Sequence, residues 1–450
     1  MDRFRKRVVF LLLGCMLLTA CGSADTPTEP SAEPSPTPTA PTETVDYAGT
    51  VKLDMNSSTA KLEATVKSFV DGDTVHFHVP EDVMEDGVLK ARFLAINTPE
   101  STGKIEEYGK AASRFTKEVL SGAVSIIVEA ESGEWTPDAT GGRYLAWVWY
   151  KTAGSEDYRN LNIELLQNGL ALANNAFGSQ YGETCMAAVE QARREALNIY
   201  SGQPDPDFYY GSAVELTLKE LRMNPESYNG IKVAFHGIVS SNSGTQGVYV
   251  EDYDAEEDMY FGIYAYYGFG LTGAGLDVLS VGNEVRVVGT VQHYESGGTW
   301  QVSGLSYRQM KPDDPDNVQK LSTGHSAAYV LTDPDTFVNG EVTIETEGGT
   351  FTAPYAQMVL NTSVEMRGLT GTGVYTTEDE DSSSKGAMTL TCEKDGVRIT
   401  VRTAVLREAN GELITADQYR GKNIDVKGIV ESFDGGYQIK VFTPNNITIN

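Results

Sequence analysis

Four polar features of the first half of the sequence stand where strand-like runs end or break: Asp71-Gly72-Asp73-Thr74, Arg92, Asn97-Thr98-Pro99-Glu100 and Gly142-Arg143. Each alone has an ordinary reading: a hairpin turn, an arginine on the outer face of a strand, a turn glutamate behind proline, an arginine leaving a glycine turn. Together they are the parts needed to hydrolyse a phosphodiester. Aspartates spaced by two bring carboxylate oxygens near one another, as a hard cation such as Ca²⁺ requires. Guanidinium forks bind phosphate oxygens bidentately and stabilise charge that grows in the transition state. A further carboxylate can take a proton from the attacking water, and a metal can polarise the phosphate and orient that water.

The elements that must hold these residues are strands first and helices last. LEATVKSFV and DTVHFHV flank the tight turn Asp71-Gly72, a hairpin signal, and LKARFLAIN, AVSIIVEA and YLAWVWY follow as further strands. EEYGKAASRFTKEVLSG, LNIELLQNGLALA and GETCMAAVEQARREALNIY follow the helical period; Ile163, Leu166 and Leu170 share one face, as do Val189, Ala192, Ala196 and Ile199. The expectation is a mainly β fold with some α: an OB-type five-stranded barrel plus three helices.

The order of the motifs adds a resemblance. DGDT (71–74), R-F-L-x-x-x-T-P-E (92–100), E-x-Y-G-x-x-A (106–112), G-R-x-L-A (142–146), G-L-A (169–171) and L-N-I-Y (197–200) occur in one order with sensible spacing. This resembles the staphylococcal nuclease (thermonuclease) family, over about a third of the chain. The resemblance implies that Asp73 and the backbone carbonyl of Thr98 ligate Ca²⁺, that Arg92 and Arg143 bind phosphate, and that Glu100 activates water. It also implies endonucleolytic hydrolysis of DNA and RNA leaving 3′-phosphates. Two positions depart from the family. Asn97 stands where an Asp is common; its amide oxygen can still ligate, but without the charge that raises Ca²⁺ affinity. Ala139-Thr140-Gly141 replaces a Lys-Tyr pair, which leaves Phe177 or Tyr181 as candidate aromatic platforms.

A chain of 450 residues is too long for one core and suggests about three domains. The net charge of −28 excludes a generally basic surface for polyanions, and acidic residues outnumber basic ones even within 60–202. Capture must rest on local groups: Arg92, Arg143 and the metal, with Lys104, Lys110 and Lys117 nearby either further contacts or a solvated helix face.

Arg3, Arg5, Lys6 and Arg7 precede an apolar run from Val8 to Leu18 of about 11 residues, too short for a spanning helix. The run ends in Leu18-Thr19-Ala20-Cys21, which resembles the bacterial lipobox. The expectation is a signal peptide over 1–20, lipidation of Cys21, and attachment to the outer face of the cell membrane through that anchor. A Pro/Thr-rich stretch over 21–58 reads as a disordered tether with a reach on the order of 100 Å. Cys185 and Cys392 are far apart and read as core residues.

The nuclease-like domain is expected over 59–202, with a Pro/Asp linker at 203–212. The remainder is nearly all strands and turns and contains a weak repeat: NEVRVVGTV before GGTWQV, and KNIDVKGIV before GGYQIKV. A glycine inside a strand marks a bulge or barrel bend. Two further OB-like barrels are therefore expected, over 213–311 and 356–450, joined by a linker segment over 312–355 with some structure of its own. The tyrosines from Tyr249 to Tyr267 are either a cross-strand network or a stacking platform, and the acid-rich stretch from Glu251 to Asp258 either a solvated loop or a cation site. The sequence thus points to a cell-surface, calcium-dependent nuclease with DNA or RNA as substrate and no protein partner; the alternative is a catalytically weak nucleic-acid-binding lipoprotein.

Overall fold

A computed structural model describes residues 43–450 except 85, 245, 295–296, 347–348, 380–381 and 383. The expected signal peptide, Cys21 and the first part of the tether lie outside the described residues. No helix among the described residues is long and apolar enough to cross a membrane.

Strand β1 (Lys61–Phe69) pairs with β2 (Thr74–His78), and β2 with β3 (Val88–Phe93). Strands β4 (Ala123–Glu129) and β5 (Tyr144–Thr152) pair with each other; β4 returns to β1, and β5 runs parallel to β3. The ring closes in the order β1-β2-β3-β5-β4, a five-stranded OB-type barrel. Strict alternation explains β3: Leu89, Ala91 and Phe93 are buried inside the barrel while Lys90 and Arg92 lie on the opposite face. Val75, Phe77, Trp147 and Trp149 complete the core.

Three helices follow the expected order: α2 (Gly109–Ser121), α3 (Leu161–Gln167) and α4 (Gly182–Arg194). Two are shorter than their periodicity suggests. Gly169 has φ +64° and lies against the Leu197 carbonyl, so α3 ends early and Leu172–Ala173 becomes a short strand paired with Ile96–Asn97. Ala196, at φ +52°, closes off α4 before Ile199.

Part of the stretch expected as a tether is packed on the barrel domain. Helix α1 (Tyr47–Thr50) packs on the barrel domain with Ala48 fully buried, and Asp46 binds Arg159 at 2.6 and 2.9 Å. The apolar residues Val45, Ala48, Val51 and Leu53 are what the Pro/Thr-rich stretch before them lacks.

The rest of the chain builds two more closed rings of the same order. One comprises β6 (Lys232–Asn242), β7 (Gly247–Asp254), β8 (Met259–Tyr266), β9 (Glu284–Tyr294) and β10 (Thr299–Ser303). The other comprises β11 (Ser363–Thr376), β12 (Ala387–Lys394), β13 (Val397–Val405), β14 (Asn423–Phe433) and β15 (Gly436–Val441). The repeated strand glycines have one shared cause. A Cβ on Gly289 would lie 2.6 Å from the Ser303 carbonyl, and one on Gly428 would lie 2.5 Å from the Lys440 carbonyl, so each lets its strand press on the next.

The segments expected as linkers are packed joints. Within 312–355, the hairpin Glu341–Thr346 with Gly349–Pro354 adds Ile344 and Ala353 to the core of the second barrel. In 203–212, Asp205 is buried and accepts from the Tyr108 amide at 2.6 Å. Between the second and third barrels, buried Glu251 accepts from the Ser363 amide (2.6 Å), the Ser363 hydroxyl (2.9 Å) and the Ala328 amide (2.8 Å). A buried carboxylate is tolerated only when hydrogen-bonded in this way.

The tyrosines of β7 and β8 form cross-strand pairs. Tyr249 opposes Tyr264 and Tyr253 opposes Tyr260, with ring centroids 5.1 and 5.2 Å apart. Tyr249 is buried and bonds Glu431 of the third barrel, so it offers no free stacking face.

Candidate active site

The turn after β1 is built from Asp71. Its carboxylate accepts from the Asp73 amide at 3.0 Å, while the Val70 and Asp71 amides donate to the Thr74 carbonyl. Gly72 allows α2 to sit directly on this turn: a Cβ there would lie 2.9 Å from both Ala112 and Thr98. Thr116 of α2 donates to the Gly72 carbonyl at 2.6 Å. The helix therefore presses the Asp71–Thr74 turn against the Thr98 turn, although 25 residues separate Asp73 from Thr98.

Asp73 and Thr98 are both 3% exposed, and the Thr98 amide donates to Asp73 Oδ2 at 2.7 Å. The same oxygen is paired with Nη1 of Arg92. Arg92 faces Thr74 across β2–β3, which aims its side chain along the outer wall toward this junction. Its Nη2 donates to Asn97 Oδ1 at 2.7 Å, and Asn97 Nδ2 reaches the Thr98 carbonyl at 3.4 Å. The amide oxygen expected to ligate a cation is thus committed to an arginine in this structure.

Arg143, leaving the glycine turn at the start of β5, is held by Asp138. Nε and Nη2 both lie 2.7 Å from Asp138 Oδ2, and Nη1 makes a long 3.4 Å contact with Thr74 Oγ1. Burial opposes ionisation of Asp138, but the Thr140 hydroxyl and Arg143 outweigh it and hold the carboxyl below its ordinary value. Asp138 lies in a loop with no periodicity to mark it, and its pairing with Arg143 was not legible in the sequence.

Glu100 begins an irregular loop. Its amide donates to Glu106 Oε2 at 3.1 Å, and its carbonyl accepts from the Glu106 amide at 2.9 Å. Partial burial, then the Asp73 and Glu106 carboxylates, raise its pKa above the ordinary value against the pull of Arg92 and Arg143. Glu100, Asp73, Arg92 and Arg143 therefore share one electrostatic neighbourhood. Asp71 belongs to it as well: burial, then Asp73 and Glu100, push its pKa up to about 7. The spacing of Asp71 and Asp73 was the available signal for it.

Crowded oxygen donors, one of them the Asp71 carboxyl whose ionisation burial and its neighbours resist, fit a hard divalent cation. Asp73, Asp71 and the Thr98 carbonyl supply oxygens on adjoining turns, and a bound cation would relieve the repulsion that raises Asp71. The acidic stretch in the second barrel differs. Asp254, Glu256 and Glu257 gather within 4.8 Å of one another, yet Lys219 Nζ sits among them at 3.1, 3.2 and 3.4 Å. A lysine already answers their charge.

Of the two aromatic candidates, Tyr181 packs edge-on against Trp147 and Trp149 with centroids at 5.0 and 5.3 Å, while Phe177 is 99% exposed. Cys185 and Cys392 are buried free thiols, each pushed up to about 12 by burial, and behave as core residues.

The staphylococcal nuclease homologue family matches residues 90–202. The chain is 32% identical to a thermonuclease of Staphylococcus intermedius over 140 residues, which cover 30% of this chain and 74% of that protein. It is 35% identical over 165 residues to endonuclease YhcR of Bacillus subtilis, covering 33% of this chain but only 12% of the longer relative.

Proposed function

The chain belongs to the staphylococcal nuclease family and carries a phosphodiester-hydrolysing nuclease domain, and we propose that it is a calcium-dependent endonuclease acting on DNA or RNA outside the cell and leaving 3′-phosphate ends. One observation supports the reading above others: Arg92, Arg143, Glu100 and Asp73, drawn from four separate segments, meet on one side of the barrel.

Asp73, Asp71 and the Thr98 carbonyl would hold Ca²⁺, which when bound polarises the scissile phosphate and orients water. Arg143 is fixed by Asp138 through Nε and Nη2, which leaves Nη1 for a phosphate oxygen. Arg92 can exchange its bond to Asn97 for a second oxygen of the same phosphate. Glu100, with a raised pKa, is a stronger base than an ordinary carboxylate and takes the proton from water as its oxygen bonds phosphorus. The bond from phosphorus to the 5′ oxygen breaks, that oxygen is reprotonated from solvent, and the phosphate stays on the 3′ side.

Once Arg92 turns to phosphate, the Asn97 amide oxygen is released to join these donors as an uncharged ligand. Cleavage of single-stranded DNA is expected with Ca²⁺ and absent with chelator. Asn97→Asp, which adds a charge beside the donors, is expected to lower the Ca²⁺ concentration for half-maximal rate about tenfold, as ligand charge count tunes affinity. Cleavage by Asn97→Asp but by no metal form of the natural chain would make this protein a nucleic-acid binder, the reading favoured by the bond between Asn97 and Arg92.

Surface location is supported by the basic and apolar N-terminus that ends at Cys21. Diacylation there would hold the enzyme at the membrane. Cell-associated activity is expected to move to the medium in Cys21→Ser; activity that stays in the cell pellet counts against the anchor.

A further inference from the structure

The loop that carries Glu100 has a contact from outside its own barrel. Residues 101–107 belong to no strand and no helix. The loop's ends are held locally, by the Glu100–Glu106 pair of bonds and by the Tyr108 amide on Asp205. Its middle is held by the second barrel: the Gly103 carbonyl accepts from the Ser303 hydroxyl at 3.0 Å and from Gln292 Nε2 at 3.2 Å.

This contact has the features of a built joint. Two donors satisfy both lone pairs of one carbonyl. Ser303 is fully buried and Gln292 nearly so, and both sit on barrel strands, β10 and β9, rather than on loops. Close approach is permitted by the glycine on the second-barrel side. Gly103 has φ +64° and Gly304 φ +71°, and a Cβ on Gly304 would lie 3.3 Å from the Gly103 carbonyl oxygen and 3.5 Å from Lys104 Cα. Left-handed backbone at both positions suits glycine alone at no cost. The family match spans residues 90–202, so Gly103 lies within it while Ser303 and Gln292 lie outside it.

We propose that the second barrel is a working part of the nuclease site: Ser303 and Gln292 are positioning residues that grip Gly103 and thereby hold Glu100 over the scissile phosphate. The consequence for rate rests on the base role given to Glu100 above; the grip itself does not. Arg92 and Arg143 are carried by other elements, so loosening the loop should spare substrate binding and weaken the proton transfer. Displacement of a reacting group by about 1 Å costs roughly 10²-fold in rate, which bounds the effect.

The test uses the full chain with Ser303→Ala and Ser303→Ala/Gln292→Ala, and reads amide exchange, melting temperature, kcat and KM on single-stranded DNA. Expected are faster exchange confined to residues 101–107 and, in the double variant, a fall in kcat of about tenfold with KM changed less than about twofold. Ser303→Thr, which keeps the hydroxyl, should retain wild-type exchange and rate. Unchanged exchange in the double variant overturns the grip. Faster loop exchange with unchanged kcat overturns its role in catalysis, as does a loss of kcat accompanied by faster exchange throughout both barrels. Glu100→Gln run beside these separates the two readings: if it keeps full activity, the base assignment fails while the exchange data still decide the grip.

Discussion

Arg92→Ala is expected to lower kcat on single-stranded DNA by about 10²–10³-fold, the cost of removing one preorganised donor to developing charge. The expectation follows from what Arg92 touches. Its two terminal nitrogens meet Asp73 and Asn97, so the fork already points at the junction where phosphate and cation would meet. Arg92→Lys should restore little, because an ammonium cannot span two oxygens in one plane. A change of stability must be separated from a change of rate. Removing Arg92 leaves the buried Asp73 carboxylate with the Thr98 amide and the Thr74 hydroxyl as donors. Ca²⁺ would compensate that lost charge, so melting should be compared with and without the ion. Wild-type kcat in Arg92→Ala would remove Arg92 from the site.

Glu100→Gln is expected to cost about 10²–10⁴-fold in kcat, the usual range for a positioned general base. The amide keeps shape and cannot take a proton. The pH profile provides the sharper reading. A base must be ionised to act, so kcat should rise with pH through the pKa of Glu100 and level off above it. Burial, Asp73 and Glu106 place that midpoint above the ordinary glutamate value in the metal-free protein. A cation beside Asp73 would offset the Asp73 contribution and move the midpoint down. Glu100→Gln should abolish this limb; a mutant retaining it would assign the titration to another group, with Asp71 the nearest candidate.

Much of the nuclease domain was legible because its signals are local. The DGDT turn, the alternating strands and the α2 period each lie within a short window, and their order pointed to the barrel and to the positions of Arg92, Glu100 and Arg143. Periodicity failed at helix ends. Gly169 and Ala196 end helices through backbone conformations imposed by packing, and the apolar pattern beyond them looked the same. Composition failed at joints: residues 312–355 read as a linker, although Ile344 and Ala353 enter a barrel core, because a hairpin with one apolar face has few apolar residues to count.

By itself, then, the sequence determined which residue types stand at the ends of which strands, and that three barrels of similar pattern follow one another, since side-chain alternation and turn chemistry are properties of neighbouring residues. Only the tertiary structure decided how those residues are paired: Asn97 to Arg92 rather than free for a cation, Asp138 to Arg143, and Ser303 and Gln292 to Gly103. The last pairing joins positions 200 and 189 residues apart. Buried polar groups must find partners wherever the packed elements bring them. That requirement is met in space, and no spacing along the chain records it.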